Sequence, residues 1–265
     1  MLHTRMETTL YLYEQLQLLS MRDEDGKPHN YNLSQRVGYA LAGAALMDLV
    51  TGGYVAFDHN KNCVVQPQSC PDAVLGAVQR RIAKPKKPKD AKYWVQVLYA
   101  YHTSSARLLG GLVAKGVIRL ELRKKWKIFT LKRYPLIDFA AKQAIISRLE
   151  KVIVSAEPPE YAVLILLSLV KSARLLPYIF PDWHKNNPTG LEEDVQTALK
   201  KQPYGNFTQE AIEDAERRAE MLESIEVALD TLTIAMDAIA DAVDASADAG
   251  GGDGGDGGGG DGGSH

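Results

Sequence analysis

Residues 95–134 read VQVLYAYHTSSARLLGGLVAKGVIRLELRKKWKIFTLKRY. The first half repeats Leu and Val at helical spacing and stops at Gly116, a residue type that ends helices. The second half is two β-prone runs, VIRLEL and KIFTL, on either side of the polar turn RKKW. The stretch therefore predicts a helix, a glycine stop, a strand, a turn and a strand. The same order occurs upstream. QRVGYALAGAALMDLVTGG predicts a core helix that Gly52 and Gly53 stop, and YVAFDHNKNCVVQ predicts a hairpin around DHNKN. Ala42, Gly43 and Ala44 leave room for a neighbouring helix to approach closely. The repeat is one of structure, not a close duplication of sequence.

The flanking segments predict helices. TTLYLYEQLQLLSM, residues 8–21, has Leu and Tyr at helical spacing, and RDEDGKPHNYN ends it with turn formers. CPDAVLGAVQRRIA is helical. KPKKPKD is a loop, because Pro85 and Pro88 block a helix and leave Lys84, Lys86, Lys87 and Lys89 solvated. LIDFAAKQAIISRLEKVIVSA follows Pro135 as a helix. EPPEYAVLILLSLVKSARLL places Pro158 and Pro159 at a helix start, and its run Leu164 to Leu167 is apolar all round, so that helix is expected at the centre. LEEDVQTALKK is a short helix with acids at its N-terminal end, where they favour the dipole. The run Pro-Asp-Trp-His at 181–184 reads as a helix-ending turn.

TQEAIEDAERRAEMLESIEVALDTLTIAMDAIADAVDA carries an apolar stripe that includes Ile212, Leu222, Ile225, Leu229, Leu232, Met236, Ile239 and Val243, opposite an acidic face. It is expected to pack on the body. From Gly250 onward a Gly/Asp-rich tail has nothing to bury. The expected architecture is mainly α. A single globular helical domain over 8–245 has central apolar helices, surrounding amphipathic helices and two β-hairpins. Residues 1–7 are expected to be flexible and 246–265 to be a disordered tail.

The bulk numbers restrict function. The 265 residues are 45% hydrophobic and 24% charged, as in an ordinary globular protein with ample core. Cys63 and Cys70 are too few for a disulfide framework or a cysteine-based zinc site, and reduced thiols in a cytoplasmic protein are expected. The N-terminal MLHTRMETTLYLYEQ lacks the apolar core of a signal peptide. The apolar stretches fall short of the roughly 20 residues that span a bilayer, so membrane contact is expected to be peripheral. The net charge of −2 conceals a split: residues 1–151 hold 24 Lys and Arg against 12 acids, and residues 152–265 hold 7 against 21. Residues 80–133 alone carry 16 Lys and Arg, with only Asp90 and Glu121 as acids. Such a surplus concerns partners, not fold, and points to anionic surfaces.

TLYLYEQLQLLSMRDEDGKP, then YALAGAALMDLVTGGYV, then SSARLLGGLVAKGVI with its hairpin ending in YPL, resemble the Golgi phosphoprotein 3 family. The resemblance runs from about Thr9 to about Pro181. It implies a mostly α-helical domain with β-hairpins and a shallow basic pocket for the head group of phosphatidylinositol 4-phosphate. It also implies an exposed hairpin that meets the membrane or a second protomer. The family's pocket Trp falls near Tyr31 to Leu33, where no Trp is present. An Arg on the core helix matches Ala42, and two basic residues before the second hairpin match His102 and Ser105. The Arg of the following RL pair persists as Arg107. The fold thus carries over further than the lipid selectivity. The family's longer basic N-terminal arm has no counterpart in the sequence.

The candidate lipid-binding residues are Tyr31, Arg36, His102, Arg107, Arg123, Lys124, Lys125, Trp126 and Lys127. Each hairpin cation near an anionic leaflet contributes about 1 kcal/mol, and an indole suits the head-group level. The bland alternative is a solvated turn whose Trp packs on a neighbour. For Arg107 it is a buried ion pair with Glu14, Asp23 or Asp48. The KPKKPKD loop reads equally well as an unselective polyanion contact or a solubilising linker. No paired-ligand His spacing, P-loop, Rossmann fingerprint or G-x-S-x-G occurs, so no enzyme activity and no cofactor or metal are expected. The expected partners are anionic membrane lipids, on the cytosolic face of a membrane. Self-association through the second hairpin is a further reading. The main alternative is a winged-helix-like nucleic-acid-binding module, because a helix followed by a basic hairpin also reads that way. Against it, SSARLLGGLVAKG offers few polar side chains to read base edges.

Overall fold

In the computed structural model, α1 (Leu12–Leu19) is the first element, and the structure describes residues 9–102, 105–125, 129–155, 157 and 159–200. The expectations for residues 1–7, for the stripe-bearing segment 208–245 and for the tail lie outside the described residues, as do Trp126 and Lys127. α1 starts later than residue 8 because Tyr11 occupies its N-cap position and donates its own N–H to the Glu14 carboxylate at 2.9 Å.

A short 3₁₀ turn, Tyr31–Leu33, leads into α2 (Ser34–Thr51). Every residue of α2 from Ala40 to Val50 is buried. α1, α3 (Ala73–Ile82), α4 (Ala91–His102) and α7 (Tyr161–Ser172) all pack on it. Its small residues permit this: Gly38 lies flat on the Tyr99 ring, where a Cβ would come within 2.8 Å, and Tyr39 stacks on Tyr99 at 4.1 Å. Gly53, at φ +71°, ends the helix as expected, since L-residues with a Cβ resist that region.

The first hairpin is β1 (Val55–Phe57) and β2 (Asn62–Val65), closed by Asp58, whose carboxylate accepts the Asn60 and Asn62 N–H groups at 2.9 and 2.8 Å. The KPKKPKD segment is not wholly loop. Lys89–Asp90 forms β3, which pairs antiparallel with β2 and makes a three-stranded sheet.

The long helix expected over 95–116 is two helices, α4 and α5 (Ser105–Ala114). Gly116, at φ +69°, stops the second. β4 (Glu121–Lys125) and β5 (Phe129–Arg133) then form a two-stranded antiparallel ribbon. α6 (Phe139–Val154) is capped by Asp138, which accepts the Ala141 N–H at 3.1 Å. α7 buries Val163 through Leu167, Leu169 and Val170, and is central as its composition requires. α8 (Leu176–Ile179) and α9 (Pro181–Asn186) follow, so the Pro-Asp-Trp-His run is the start of a helix with Pro at its first position and not a turn. α10 (Pro188–Leu199) packs on α6, α7 and α9. The result is a mainly α fold with two hairpins. Among the described residues, no helix is long and apolar enough to cross a membrane.

Candidate functional site

The β4–β5 ribbon pairs Leu122 with Lys132, Arg123 with Leu131 and Lys124 with Thr130. Side chains alternate between the two faces of a strand, so each face of the ribbon mixes apolar and cationic groups. Leu122 is 63% exposed and Leu131 48%. Arg123, Lys124 and Lys132 are exposed too. Leu120, Ile137 and Phe139 add to the patch at the ribbon's base, at 44%, 45% and 60% exposure. Thus five of the eight exposed large apolar residues of the described chain fall within 120–139, interleaved with basic ones; Tyr31, Tyr93 and Val154 lie elsewhere. Arg119 donates to Glu121 at 2.6 Å, which lowers the Glu121 carboxyl below its usual range. No acid pairs with Arg123, Lys124 or Lys132 among the described residues.

The ribbon is anchored at its base by backbone bonds. Tyr134 donates its N–H to Asp25 O at 3.0 Å, and Leu136 donates to Asp23 O at 2.8 Å. Arg133 adds a side-chain bond to Glu24 O at 3.2 Å. Gly26, at φ +69°, makes the approach possible, because a Cβ there would lie 2.6 Å from Tyr134 Cβ. Gly26→Ala is expected to cost about 2 kcal/mol through backbone strain and this clash. Amide exchange reads it: the Tyr134 and Leu136 amides should exchange much faster, while the amides of α2 should slow or quicken only with global stability. Equal change at both places would mean that Gly26 does not hold the ribbon.

The other candidates form a second group. Tyr31 is 64% exposed in the 3₁₀ turn, and Arg36 is buried in the first turn of α2. Because Gly38 and Tyr39 pack on Tyr99, the start of α2 lies beside the end of α4, where His102 stands. α5, with Arg107 in its first turn, begins three residues after His102. The backbone positions of Tyr31, Arg36, His102 and Arg107 therefore converge at one corner. The ribbon leaves from the opposite end of α5. Three carboxylates considered as partners for Arg107 have other bonds: Glu14 with Lys115, Asp23 with Lys142 at 2.5 Å, and Asp48 with backbone amides.

Segment 80–92 is a third positive surface. Arg80, Lys84, Lys86, Lys87, Lys89 and Lys92 are all exposed. Asp90 is committed to the Tyr93 N–H at 2.7 Å. Lys89 lies over the Tyr93 ring, 5.6 Å from its centroid.

Two further features escape a sequence reading. The first is a buried charge cluster where α1 meets α2 and α5. Asp48 accepts the Leu12 and Tyr13 N–H groups at 2.8 and 3.0 Å and so caps α1 from a distant helix. Burial pushes its carboxyl up to about 7, opposed by those two bonds and helped by the nearby Glu14 and Asp72 charges. Glu14 is fully buried, pressed on the Gly111 backbone and ion-paired to Lys115. The second is a cleft of about 680 Å³ beside the ribbon's base, lined by Arg22, His29, Phe139, Ile146 and Tyr178 among others. His29 stacks on Tyr178 at 5.2 Å, and burial lowers the pKa of its ring. Nothing in the local sequence joins residues 22–29 to residues 136–181, so only the fold reveals the cleft.

α5 packs on α1 and buries Leu108, Leu109 and Leu112, which leaves Ser105 and Arg107 as its only polar residues. That is a poor reading helix for a nucleic acid.

The family model described as Golgi phosphoprotein 3 (GPP34) matches residues 12–233. The chain is also similar to vacuolar protein sorting-associated protein 74 of Eremothecium gossypii, 27% identical over 170 residues, covering 56% of this chain and 50% of that one. The chain thus spans about half the length of this curated relative.

Proposed function

We propose, from the premise that the chain belongs to the Golgi phosphoprotein 3 family, that it is a peripheral membrane protein that binds anionic lipid head groups. The observation that supports this most is the β4–β5 ribbon, an exposed two-stranded element on which Leu122 and Leu131 alternate with Arg123, Lys124 and Lys132. A ribbon of two strands is marginal in water, and a mixed apolar and cationic surface suits an anionic interface. The cations supply attraction, at about 1 kcal/mol each near an anionic leaflet. Leu122, Leu131 and Trp126 supply depth. Lys125 and Lys127 extend the same charge in sequence. By family resemblance the preferred head group is phosphatidylinositol 4-phosphate, held at the corner of Tyr31, Arg36, His102 and Arg107. The protein carries out no catalysis in this role, and it acts on the cytosolic face of the membrane, with a second copy of the chain as a further partner through the ribbon.

Sedimentation with vesicles tests the reading. The protein should pellet with vesicles containing anionic lipid and not with neutral ones, at physiological salt and in the presence of excess duplex DNA. Replacing Arg123, Lys124, Lys125 and Trp126 by Ala should weaken pelleting at least about 100-fold, since three charges at about 1 kcal/mol each are lost with the indole. Pelleting that DNA abolishes, or that survives the quadruple change, contradicts the proposal. Enrichment on phosphatidylinositol 4-phosphate over an equal charge of phosphatidylserine tests the finer assignment.

A further inference from the structure

We propose that Thr130, on β5, is a phosphorylation site, and that its phosphate releases the ribbon from anionic bilayers. Three observations converge on this residue.

The first is isolation. Thr130 is the only Ser or Thr between Ser105 and Ser147. It is exposed, and its hydroxyl forms no hydrogen bond among the described residues. Strand propensity accounts for a β-branched residue here, but Val or Ile would serve it equally well. The hydroxyl is what the fold leaves unused.

The second is presentation. β5 pairs only with β4, so among the described residues its outer edge is open. A kinase takes its substrate as an extended segment, and a strand with a free edge is extended already. The ribbon hangs from main-chain bonds at Tyr134 and Leu136, so an enzyme can engage β5 without disturbing the helices. Leu131, Lys132 and Arg133 follow Thr130 directly, an apolar and basic context of the kind kinases read by charge.

The third is the position of the charges. Lys124 is the direct cross-strand partner of Thr130, and Lys132 stands opposite Leu122. Residues two apart along a strand share a face, so Thr130, Lys124, Lys132 and Leu122 lie on one side of the ribbon. A phosphothreonine carries close to two negative charges and three acceptor oxygens. At Thr130 it stands beside two ammonium groups that no described acid occupies, and it engages both. Those two are among the three cations, Arg123, Lys124 and Lys132, on which the membrane reading relies.

In the transfer, the Thr130 oxygen attacks the γ-phosphorus of ATP held by a kinase. The ester bond forms as the bond to the β–γ bridging oxygen breaks. ADP leaves, and the hydroxyl proton passes to a carboxylate of the kinase. Release from the bilayer rests on the membrane reading above; the modification itself does not.

Two measurements on the full chain test this. The first is phosphopeptide mass spectrometry of the chain recovered from soluble and membrane fractions of cells that produce it. Phosphate on Thr130 is expected in the soluble fraction and depleted from the membrane fraction. Its absence from both overturns the site, and equal occupancy in both overturns the release. The second is sedimentation of the chain made with phosphothreonine at 130, using vesicles of phosphatidylcholine with phosphatidylserine. Binding should weaken about 30-fold at physiological salt, since each of the two offset ammonium groups contributes about fivefold. Phosphoserine at Ser147, exposed on α6, adds the same charge elsewhere and should pellet like the unmodified chain. Equal loss at both positions, or no loss at 130, overturns the release. Unchanged thermal melting of the helices separates release from unfolding. If the unmodified chain does not pellet, the membrane reading fails, and the mass spectrometry still decides the modification.

Discussion

Lys115→Met is expected to lower the unfolding free energy by about 3 kcal/mol, which for a domain of this size lowers Tm by about 10 °C. Lys115 Nζ pairs with the Glu14 carboxylate, donates to Thr9 O at 3.1 Å and lies over the Tyr11 ring at 4.7 Å. Its partner Glu14 is fully buried, and one carboxylate oxygen, Oε1, has no hydrogen bond. Removing the ammonium strands a charge that solvent does not reach. Met keeps the length and apolar stem of Lys, so the loss is electrostatic rather than one of packing. The control is Glu14→Gln with Lys115→Met, which removes both charges and should recover a large part of the loss. Thermal unfolding of the three proteins decides it. A single variant within 0.5 kcal/mol of the parent would show that the pair does not matter.

Asp48→Ala should cost a similar amount, about 3 kcal/mol, because two amides at the start of α1 lose the carboxylate that accepts from them. A pH signature separates this carboxyl from the others. Its folded pKa of about 7 stands above the ordinary 3.8, so the folded state holds a proton that the unfolded state has released. The stabilisation is complete below the ordinary value and is lost as pH rises through about 7. Between these limits the slope is about −1.4 kcal/mol per pH unit. His29 works in the opposite sense below its ordinary 6.5, since burial lowers the pKa of its ring. Comparison with Asp48→Asn cancels the His29 contribution. Denaturant unfolding at pH 5, 6, 7 and 8 should show the parent losing stability relative to Asp48→Asn up to about pH 7 and then running parallel to it. A constant difference from pH 5 to 8 would place the Asp48 pKa outside this window.

Local pattern was enough for much of the fold. Gly53 and Gly116 mark helix ends because only their φ values near +70° suit the reversal. The apolar run of α7 forces it to the centre, and Asp72 and Asp138 cap the helices that follow them. What pattern could not show depends on distant partners. The break between α4 and α5 interrupts a stretch whose periodicity continues across it. β3 exists because Asn62 and Cys63 offer an open edge to Asp90 and Lys89, which no lysine-rich sequence announces. The site follows the same rule. The ribbon was legible, because two β-prone runs, VIRLEL and KIFTL, flank the basic turn RKKW; the exposure of Leu122 and Leu131 was not. The bonds between Asp48 and α1 span 36 and 35 residues, and the Lys115–Glu14 pair spans 101, so neither has a local signal. Lys142 is similar: it reads as one cation on a helix surface, yet it is buried on Asp23 and Met21 O.

The bonds from Tyr134 and Leu136 to the Asp25 and Asp23 carbonyls use only the main chain. Attachment of the ribbon is thus indifferent to what its strands display further out. Mutation could rewrite the tip residue by residue, swapping hydrophobes or altering the number of cations, without loosening the mount. The same body could then carry differently equipped tips, as one handle accepts many blades, provided a glycine stays at 26.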